Sequence, residues 1–489
     1  MFCKSCVMIW PCFYLTRSQF LKVAFLCPLD EEPGPHSPVS TALENLAGWN
    51  LFIDKQIRDD EKTRWVNSDL VNFTSATLDD KITEITTGDT KYDLVVGCNT
   101  YMHATVVRKL QAASQPHLMC EGGNPSVWNE FKDASTKWGF TMHAPFTEYP
   151  MAYLELAKKK FELSHNNSKP KVMFVKGSSG DFETALCTAA VEAAKTLELE
   201  LIDDGEMKTT HDMHLEKLEM VDILYACTLG SEGTAVMDEL ASIPYKKLPH
   251  AISITVSPAL KGFHALFKKR AAYISYPVQW HHTSTFTCAS DCAPAPFRSV
   301  AQYNENFSPY PSYQNAGCSA AGVALREAMD GLQESFKEAE ATVRQTLIVE
   351  QLSKIRQTKV RSFWGNINLN TKNNMDEHEI GIVQLQPRLK GMKDIDLDSD
   401  DVKDVNIVHR IVTADTFLLK EEEYVETGGG SSIGTIIAVI TLICVAIAAG
   451  VLVKWHYFPS APLMPPTKMS VASQPLASAA SEVELSNRK

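Results

Sequence analysis

The chain has 489 residues, a net charge of −12, 44% hydrophobic and 22% charged residues, and 24 glycines, 24 prolines and 12 cysteines. This length is enough for about two or three domains around a large buried core. The composition excludes collagen-like, disordered and small disulfide-scaffold proteins, and an acidic balance without a basic block argues against nucleic-acid binding.

The first 20 residues have some features of a secretion signal. Lys4 precedes an apolar stretch from Cys6 to Leu15, but Pro11 interrupts that stretch and no small-residue cleavage site follows it. We therefore interpret residues 1–20 as a leader or an uncleaved signal-like anchor, with an incorrectly assigned N-terminus as a third interpretation.

From residue 21 to about residue 280, short apolar runs alternate with amphipathic segments. The apolar runs are typical of buried parallel strands, and apolar side chains at helical spacing predict the helices between them. This alternation predicts doubly wound α/β domains. The predicted strands are 21–27, 70–73, 93–97, 117–119, 139–143, 171–175, 198–202, 222–226, 251–256 and 272–275. The predicted helices are 41–57, 104–113, 149–163, 183–197 and 232–242.

The pattern changes after about residue 280. A loop rich in Thr, Ser, Cys and Pro is followed by two predicted helices and three predicted strands. The helices are 312–337 and 339–355, and the strands are 360–368, 379–386 and 405–413.

Cysteines and glycosylation sequons bear on the compartment of this region. Eight cysteines lie between residues 21 and 419; several follow apolar strands, where a buried free thiol is the expectation. Cys288 and Cys292 flank a loop and could pair with each other, although connectivity cannot be read from spacing. Sequons at Asn72, Asn166 and Asn306 agree with an extracytoplasmic domain.

One segment has the length and composition of a membrane span. Residues 433–453 carry no charge over 21 positions, which at 1.5 Å per residue crosses a bilayer core of roughly 30 Å. Lys454, Trp455 and Tyr457 follow it, a combination typical of the cytoplasmic interface. The sequence therefore predicts an extracytoplasmic region before the span, with 420–432 as a juxtamembrane linker and 454–489 as a short cytoplasmic tail.

No motif points to catalysis or to a bound metal. His211 and His214 are one helical turn apart and His281 and His282 are adjacent, but neither pair has a recognised zinc-ligand spacing. No nucleophile elbow or phosphate loop is present in the sequence. We expect a protein that is not an enzyme, without cofactor or metal.

Six segments follow one another in an order known from one protein family. They are VAFLCPLD, YDLVVGCNTYMHATVV, QPHLMCEGGNPSVW, KVMFVKGSSGDFETAL, PSYQNAGCSAAGVALREAM, and FWGNINLNTKNN followed by IGIVQLQ. In this order they resemble the type I periplasmic binding-protein fold, the leucine-binding-protein and receptor-ligand-binding group. The resemblance covers roughly residues 21–419.

The resemblance implies two Rossmann-like lobes with parallel sheets, joined by a multi-strand hinge. Lobe 1 would comprise about 21–144 and 273–335, and lobe 2 about 145–272 and 336–386. Ligands of such sheets bind beyond the carboxyl ends of the strands, at topological switch points. Helix N-termini at these points present free backbone N–H groups to the ligand.

Ten residues on the matching segments are candidate ligand contacts. The two glycines among them would let a ligand approach bare backbone. In lobe 1 the candidates are Asn99, Thr100, Tyr101, Glu121, Gly122, Gly123 and Asn124. In lobe 2 they are Phe182, Thr228 and Leu229.

One stretch departs from the family pattern. Amino-acid binders of this family hold the ligand ammonium with an acidic residue in lobe 2, and the corresponding stretch AISITVSPAL has none. The resemblance therefore implies a small polar ligand that could be an amino acid, an amide or a related solute.

The resemblance and the membrane segment together predict a single-pass receptor-like binding protein. Closure of the lobes would be detected by a partner protein or by a second copy of the chain. The stretch from Pro462 to Pro466 could bind a cytoplasmic adaptor. The alternative function is a membrane-tethered subunit that captures solute for a transporter.

Overall fold

The computed structural model describes most of residues 21–419. The described residues are 21–30, 38–59, 66–97, 103–130, 138–177, 180–202, 208–209, 215–259, 263–288, 293–308, 310–330, 332, 336, 339–358, 360–369, 378, 380–387 and 407–419. By its internal contacts the chain divides into two units, 1–424 and 425–489, and every described residue belongs to the first.

The predicted membrane topology falls on segments that the structure does not describe. The leader 1–20, the linker 420–432, the span 433–453 and the tail 454–489 all lie outside the described residues. Within the described ranges, no helix is both long enough and apolar enough to cross a bilayer.

The first sheet has five parallel strands in the order β2-β1-β3-β4-β5. All of its strands except β2 are largely buried on both faces: in β1, Val23 and Phe25 face one core cluster, and Ala24 and Leu26 face another. The strands are β1 Leu21–Cys27, β2 Val66–Asn72, β3 Leu94–Gly97, β4 His117–Met119 and β5 Gly139–Thr141. The helices between and after them are α1 Pro38–Asp59, α2 Leu78–Thr87, α3 His103–Ala112 and α4 Pro125–Glu130.

The second sheet repeats this strand order in its parallel part. The order is β15-β14-β11-β10-β9-β6-β7, with β8 also paired to β6 and with β14 and β15 antiparallel. The strands are β6 Lys171–Lys176, β7 Glu200–Leu201, β8 Lys208–Thr209, β9 Ile223–Cys227, β10 Ala251–Ile254, β11 Ile274–Val278, β14 Gly381–Pro387 and β15 Ile407–Val412. The helices are α5 Tyr149–Ser164, α6 Asp181–Thr196, α7 Ser231–Ala241 and α8 Phe263–Phe267.

A matching aspartate joins the first and third principal strands of each sheet. The carboxylate of Asp93, just before β3, accepts a hydrogen bond of 2.8 Å from the backbone N of Lys22 in β1. Asp222, just before β9, accepts the same bond at 2.8 Å from Lys171 in β6. The two sheets therefore share this aspartate-to-backbone hydrogen bond as well as a strand order.

The segment after β11 returns to the core of the first sheet. It forms α9 Val300–Asn304, α10 Tyr313–Asp330, α11 Ala341–Thr358 and the hairpin of β12 Val360–Ser362 and β13 Gly365–Ile367. We call the first sheet with α1–α4, α9–α11 and this hairpin lobe 1, and the second sheet with α5–α8 lobe 2.

This assignment corrects the predicted lobe boundaries. Residues 336–386 were predicted to belong to lobe 2, but Ile348, Leu352 and Trp364 lie in the lobe 1 core. Residues 273–335 were predicted to belong to lobe 1, but their first strand, β11, lies within the second sheet. An amphipathic pattern predicts that one face of a helix is buried, but it does not show which of the two cores buries that face.

Helices α1 and α10 pack closely because small residues line their contact. A Cβ atom at Gly322 would overlap the ring of Phe52, and one at Gly48 would overlap the carbonyl of Asn315. Ser319 Oγ donates a hydrogen bond of 2.7 Å to Gly48 O across the same contact. This packing explains the run of small residues in QNAGCSAAG.

Candidate functional site

The carboxyl edge of the first sheet carries most of the predicted ligand contacts. Strands β1 and β3 lie side by side where the strand order reverses, which makes their ends the topological switch point. Asn99, Thr100 and Tyr101, which follow β3, lie outside the described residues. The predicted contacts that follow β4 are described.

Glu121 is a buried carboxylate at this edge. It is 1% exposed, and its Oε1 accepts a hydrogen bond of 2.9 Å from Asn45 Nδ2 of α1. The preceding residue, Cys120, forms a disulfide with Cys318 of α10. Burial, and to a smaller extent the nearby Glu121 carboxylate, raise the pKa of Tyr149, so Glu121 also lies close to the start of α5.

The next three residues have structural roles that the sequence did not reveal. Gly122 has φ of +112°, a backbone conformation that favours glycine. A Cβ atom at Gly123 would lie 2.5 Å from Ala144 O and 2.8 Å from Phe146 Cε1. Asn124 Oδ1 accepts hydrogen bonds of 3.0 Å from the backbone N and the Oγ of Ser126 at the start of α4. Ligand contact by these three residues stays a prediction.

We expect the change Gly123→Ala to lower the free energy of unfolding by roughly 1–3 kcal/mol, the usual cost of overpacking a close contact. Gly180→Ala is the matched control, because Gly180 is exposed and a Cβ there meets only Glu183 Oε2, at 3.5 Å. Thermal unfolding of both variants tests this. Equal midpoints for the two variants would contradict the packing role of Gly123.

The carboxyl edge of the second sheet is held by a pair of threonines. Thr255 Oγ1 accepts a hydrogen bond of 2.9 Å from Thr228 N and donates to Ala226 O or Thr228 O, at 2.9 and 3.0 Å. Both threonines are buried. Leu229 packs half-buried against the α5–α6 side of lobe 2. The adjacent Cys227 forms a disulfide with Cys187 of α6.

Phe182 of lobe 2 is connected to lobe 1 through Phe146. Its ring meets Phe146 edge-on with centroids 5.1 Å apart, and Phe146 N donates a hydrogen bond of 2.9 Å to Gly123 O. Helix α4 of lobe 1 also contacts α6 of lobe 2. The strand-end loops of the two sheets therefore converge on Phe146.

Two acidic residues at this edge were missed by sequence reasoning. A Cβ at Gly177, directly after β6, would overlap Glu232 Oε2 and lie 3.1 Å from Glu183 Cγ. Glu183 and Glu232 lie in the first turns of α6 and α7, where the helix dipole stabilises a carboxylate. Lobe 2 thus has two carboxylates at its switch point, although AISITVSPAL has none. Their positions in the first turns of the helices that follow β6 and β9 were the available signal.

Gln279 ties together segments that pass between the lobes. It follows β11. Its Oε1 accepts a hydrogen bond of 2.7 Å from Ala144 N, and its Nε2 donates a hydrogen bond of 2.9 Å to Ala144 O. The Gln279 carbonyl accepts a bond of 2.7 Å from His378 Nε2. His378 precedes β14 and stacks on Trp364 with centroids 5.4 Å apart. These residues were also missed, because their meeting is purely tertiary.

The disulfides correct the expectation of free buried thiols. Cys120 pairs with Cys318 and Cys187 with Cys227. Cys27 and Cys288 are disulfide-bonded as well, and their pairings lie outside the described residues, as does Cys292 of the predicted Cys288–Cys292 pair. Cys120 and Cys227 occupy strand ends, so these bonds fix the edges that carry the candidate site.

Within the described part of the chain, no group of three His, Cys, Asp or Glu side chains could hold a metal ion. The predicted helical pair His211 and His214 lies outside the described residues.

Comparison with known proteins identifies the fold. No protein-family model and no curated protein matches the chain. Among solved structures, a leucine-binding protein of Thermotoga maritima is 12% identical with a TM-score of 0.56, over 75% of this chain and 95% of that one. A branched-chain amino acid transporter substrate-binding protein of Streptococcus pneumoniae, in complex with isoleucine, is 13% identical with a TM-score of 0.56, over 81% and 100%. A solute-binding protein of R. palustris, in complex with benzoate, is 11% identical with a TM-score of 0.55, over 84% and 100%.

These similarities confirm the predicted α/β fold, whereas the C-terminal transmembrane helix of that prediction lies outside the described residues. The chain has the type I periplasmic binding-protein fold, an α/β architecture with one parallel sheet and one sheet that is parallel except for β14 and β15.

Proposed function

We propose that the chain binds a small polar solute between the carboxyl edges of its two sheets. The observation that carries the proposal is the repeated strand order, which gives each lobe a switch point. Convergence of Gly123 and Phe182 on Phe146 supports it, because loops from both edges meet there. The segments joined by Gln279 are then the hinge about which the lobes close.

The side chains at the two edges favour a ligand rich in hydrogen-bond donors. Glu121 in lobe 1 and Glu183 and Glu232 in lobe 2 are carboxylates, which accept from ammonium or amide N–H groups. We therefore propose an amino acid, an amide or a related amine, and the two lobe 2 carboxylates take the place of the acid missing from AISITVSPAL.

A thermal-shift screen of the full chain tests this function. Amino acids, small amides, amines and aromatic acids are added singly, because a ligand that binds the native state raises the melting temperature. We expect an amino or amide compound to raise it in the wild type and to lose most of its effect in Glu232→Gln. Glu239→Gln, on the same helix, is the control that should behave as wild type. No shift with any compound would count against the proposal.

We also propose that this binding unit is anchored by the span 433–453, with the lobes on the extracytoplasmic side. The disulfides Cys120–Cys318 and Cys187–Cys227 support the orientation, because such bonds persist in oxidising compartments. The charge-free length of the span and the Lys and aromatic residues after it support the anchor.

Under this topology we expect Asn166 to carry a glycan in preference to the other two sequons. Asn166 is exposed in the turn after α5, whereas Asn72 Oδ1 is buried and Asn306 Nδ2 donates to Gln302 O and Tyr303 O. Glycosidase should increase gel mobility of wild type and of Asn306→Gln, and should leave Asn166→Gln unchanged. An insensitive wild type would contradict the extracytoplasmic orientation.

Two roles for the bound state follow from the anchor. In the first, the chain is a receptor whose closure is read by a second copy or by an adaptor at residues 462–466. In the second, it captures solute for a transporter, and the transporter substrate-binding proteins among the similar structures favour that alternative. Co-purification with a transporter, as opposed to a signalling protein or a second copy, distinguishes them.

A further inference from the structure

Three histidines form a continuous ring contact beside the segment that follows β11. The rings of His281 and His282 lie 4.0 Å apart, and His281 stacks on His409 of β15 at 6.1 Å with an interplanar angle of 11°. His282 stacks on Tyr310, just before α10, at 4.4 Å. We call His281, His282 and His409 the histidine clasp.

The clasp joins the two lobes. His409 lies in the second sheet, where its Nδ1 is 2.8 Å from the hydroxyl of Tyr276 in β11. Trp280, immediately before the clasp, packs in the lobe 1 core and donates from Nε1 to Phe363 O at 3.0 Å. The His281–His409 contact is therefore made between the segment leading into lobe 1 and a strand of lobe 2.

Hydrogen bonding favours the neutral form of His281. The backbone N of Thr283 donates to His281 Nδ1 at 3.3 Å, and the Thr283 hydroxyl lies 2.8 Å from the same atom. Protonation at Nδ1 would place a new N–H against the fixed backbone N–H of Thr283, which cannot turn to accept.

The charges around His281 act in the same direction. Burial lowers the pKa of His281 well below its usual value, and the charges of His282 and His409 lower it further. Burial also lowers the pKa of His282. Among the described residues, the other titratable or charged groups on β11, on β15 and just before α10 are Tyr276, Arg410 and Tyr310.

We propose that the histidine clasp is an acid-sensitive contact that holds the hinge segment against lobe 2 at neutral pH and releases it on acidification. This rests on the proposed function only for its consequence, which is that captured ligand would be released in an acidic compartment. Because the folded-state pKa lies below the unfolded value of about 6.5, the stabilisation is complete above about pH 6.5. It is lost as the pH falls towards the folded pKa.

Hydrogen–deuterium exchange of the full chain, without ligand, tests the clasp. Exchange is measured at about pH 7.5 and pH 5.5, the pH range in which histidine titrates, and is corrected for the intrinsic effect of pH. In the wild type, residues 279–284 and 407–412 should lose protection at the lower pH, and the melting temperature should fall by several degrees. His281→Asn should retain protection at both values, because asparagine Oδ1 can still accept from Thr283 N and does not titrate.

Two further variants keep the test decisive. His409→Asn should reduce the loss of protection in the same way and replaces His281→Asn if that variant does not fold. His165→Asn, at the end of α5 and outside the clasp, should keep the wild-type pH response. Unchanged protection in the wild type, or an equal loss in the clasp variants, would overturn the proposal. Neither outcome bears on ligand binding, because no ligand is present.

Discussion

Replacing Asp93 by alanine should lower the free energy of unfolding by roughly 3–5 kcal/mol, the cost of breaking a buried ion pair from one side. The Asp93 side chain is fully buried, and its Oδ1 accepts a hydrogen bond of 2.8 Å from Arg344 Nε. The Arg344 side chain is 16% exposed. The alanine variant leaves that guanidinium buried without its carboxylate and removes the acceptor of Lys22 N.

The repeated aspartate of lobe 2 is the matched control for this change. Asp222 makes the equivalent bond to Lys171 N, but its side chain is 22% exposed and lies 3.9 Å from His250 Nε2, with no arginine against it in the described part of the chain. Asp222→Ala should therefore cost about 1–2 kcal/mol, as expected for a lost hydrogen bond. Chemical denaturation of both variants measures the difference. Equal losses would mean that the Arg344 pair contributes nothing.

Removing the Cys120–Cys318 disulfide should cost roughly 2–5 kcal/mol, because the bond closes a long loop in the unfolded chain. The two cysteines are 198 residues apart, whereas Cys187 and Cys227 are 40 apart. The double serine variant of the first pair should therefore lose more than that of the second. Thermal unfolding under non-reducing conditions measures both. An unchanged midpoint in Cys120→Ser/Cys318→Ser would contradict the stabilising role of this bond.

Much of the α/β architecture could be predicted because most of its strands are buried on both faces. Continuous apolar runs placed β1 and β4 at their observed bounds, and helical periodicity placed α5 and α6 within two residues. Helix α2 was missed: it is rich in threonine and aspartate, which are weak helix formers, and its buried apolar residues are Leu78, Ile82 and Ile85.

The segment after β11 was predicted less well, because its structure depends on tertiary contacts. Residues 360–368 read as one strand, but the chain turns at Phe363 and Trp364, and Gly365 has φ of +98°. Both aromatic rings are buried in lobe 1. Local pattern alone could not show that these apolar residues form a turn inside a core.

The candidate site could also be predicted only in part from local sequence pattern. Strand-end reasoning located Glu121 and Thr228 at the two carboxyl edges, because that rule follows from topology. It could not show that Asn124 caps α4, that Gly123 packs on Phe146, or that Glu183 and Glu232 flank Gly177. Cysteine pairing was equally hidden, because Cys120 and Cys318 meet only when α10 has packed against β4.

The most direct test of the account is a hydrogen-exchange footprint of the full chain with and without the compound that gives the largest thermal shift. Closure of two lobes on a ligand predicts new protection on both carboxyl edges at once, in residues 121–127 of lobe 1 and 228–233 of lobe 2. Protection confined to one lobe, or to a surface remote from both strand edges, would contradict a ligand site between the sheets.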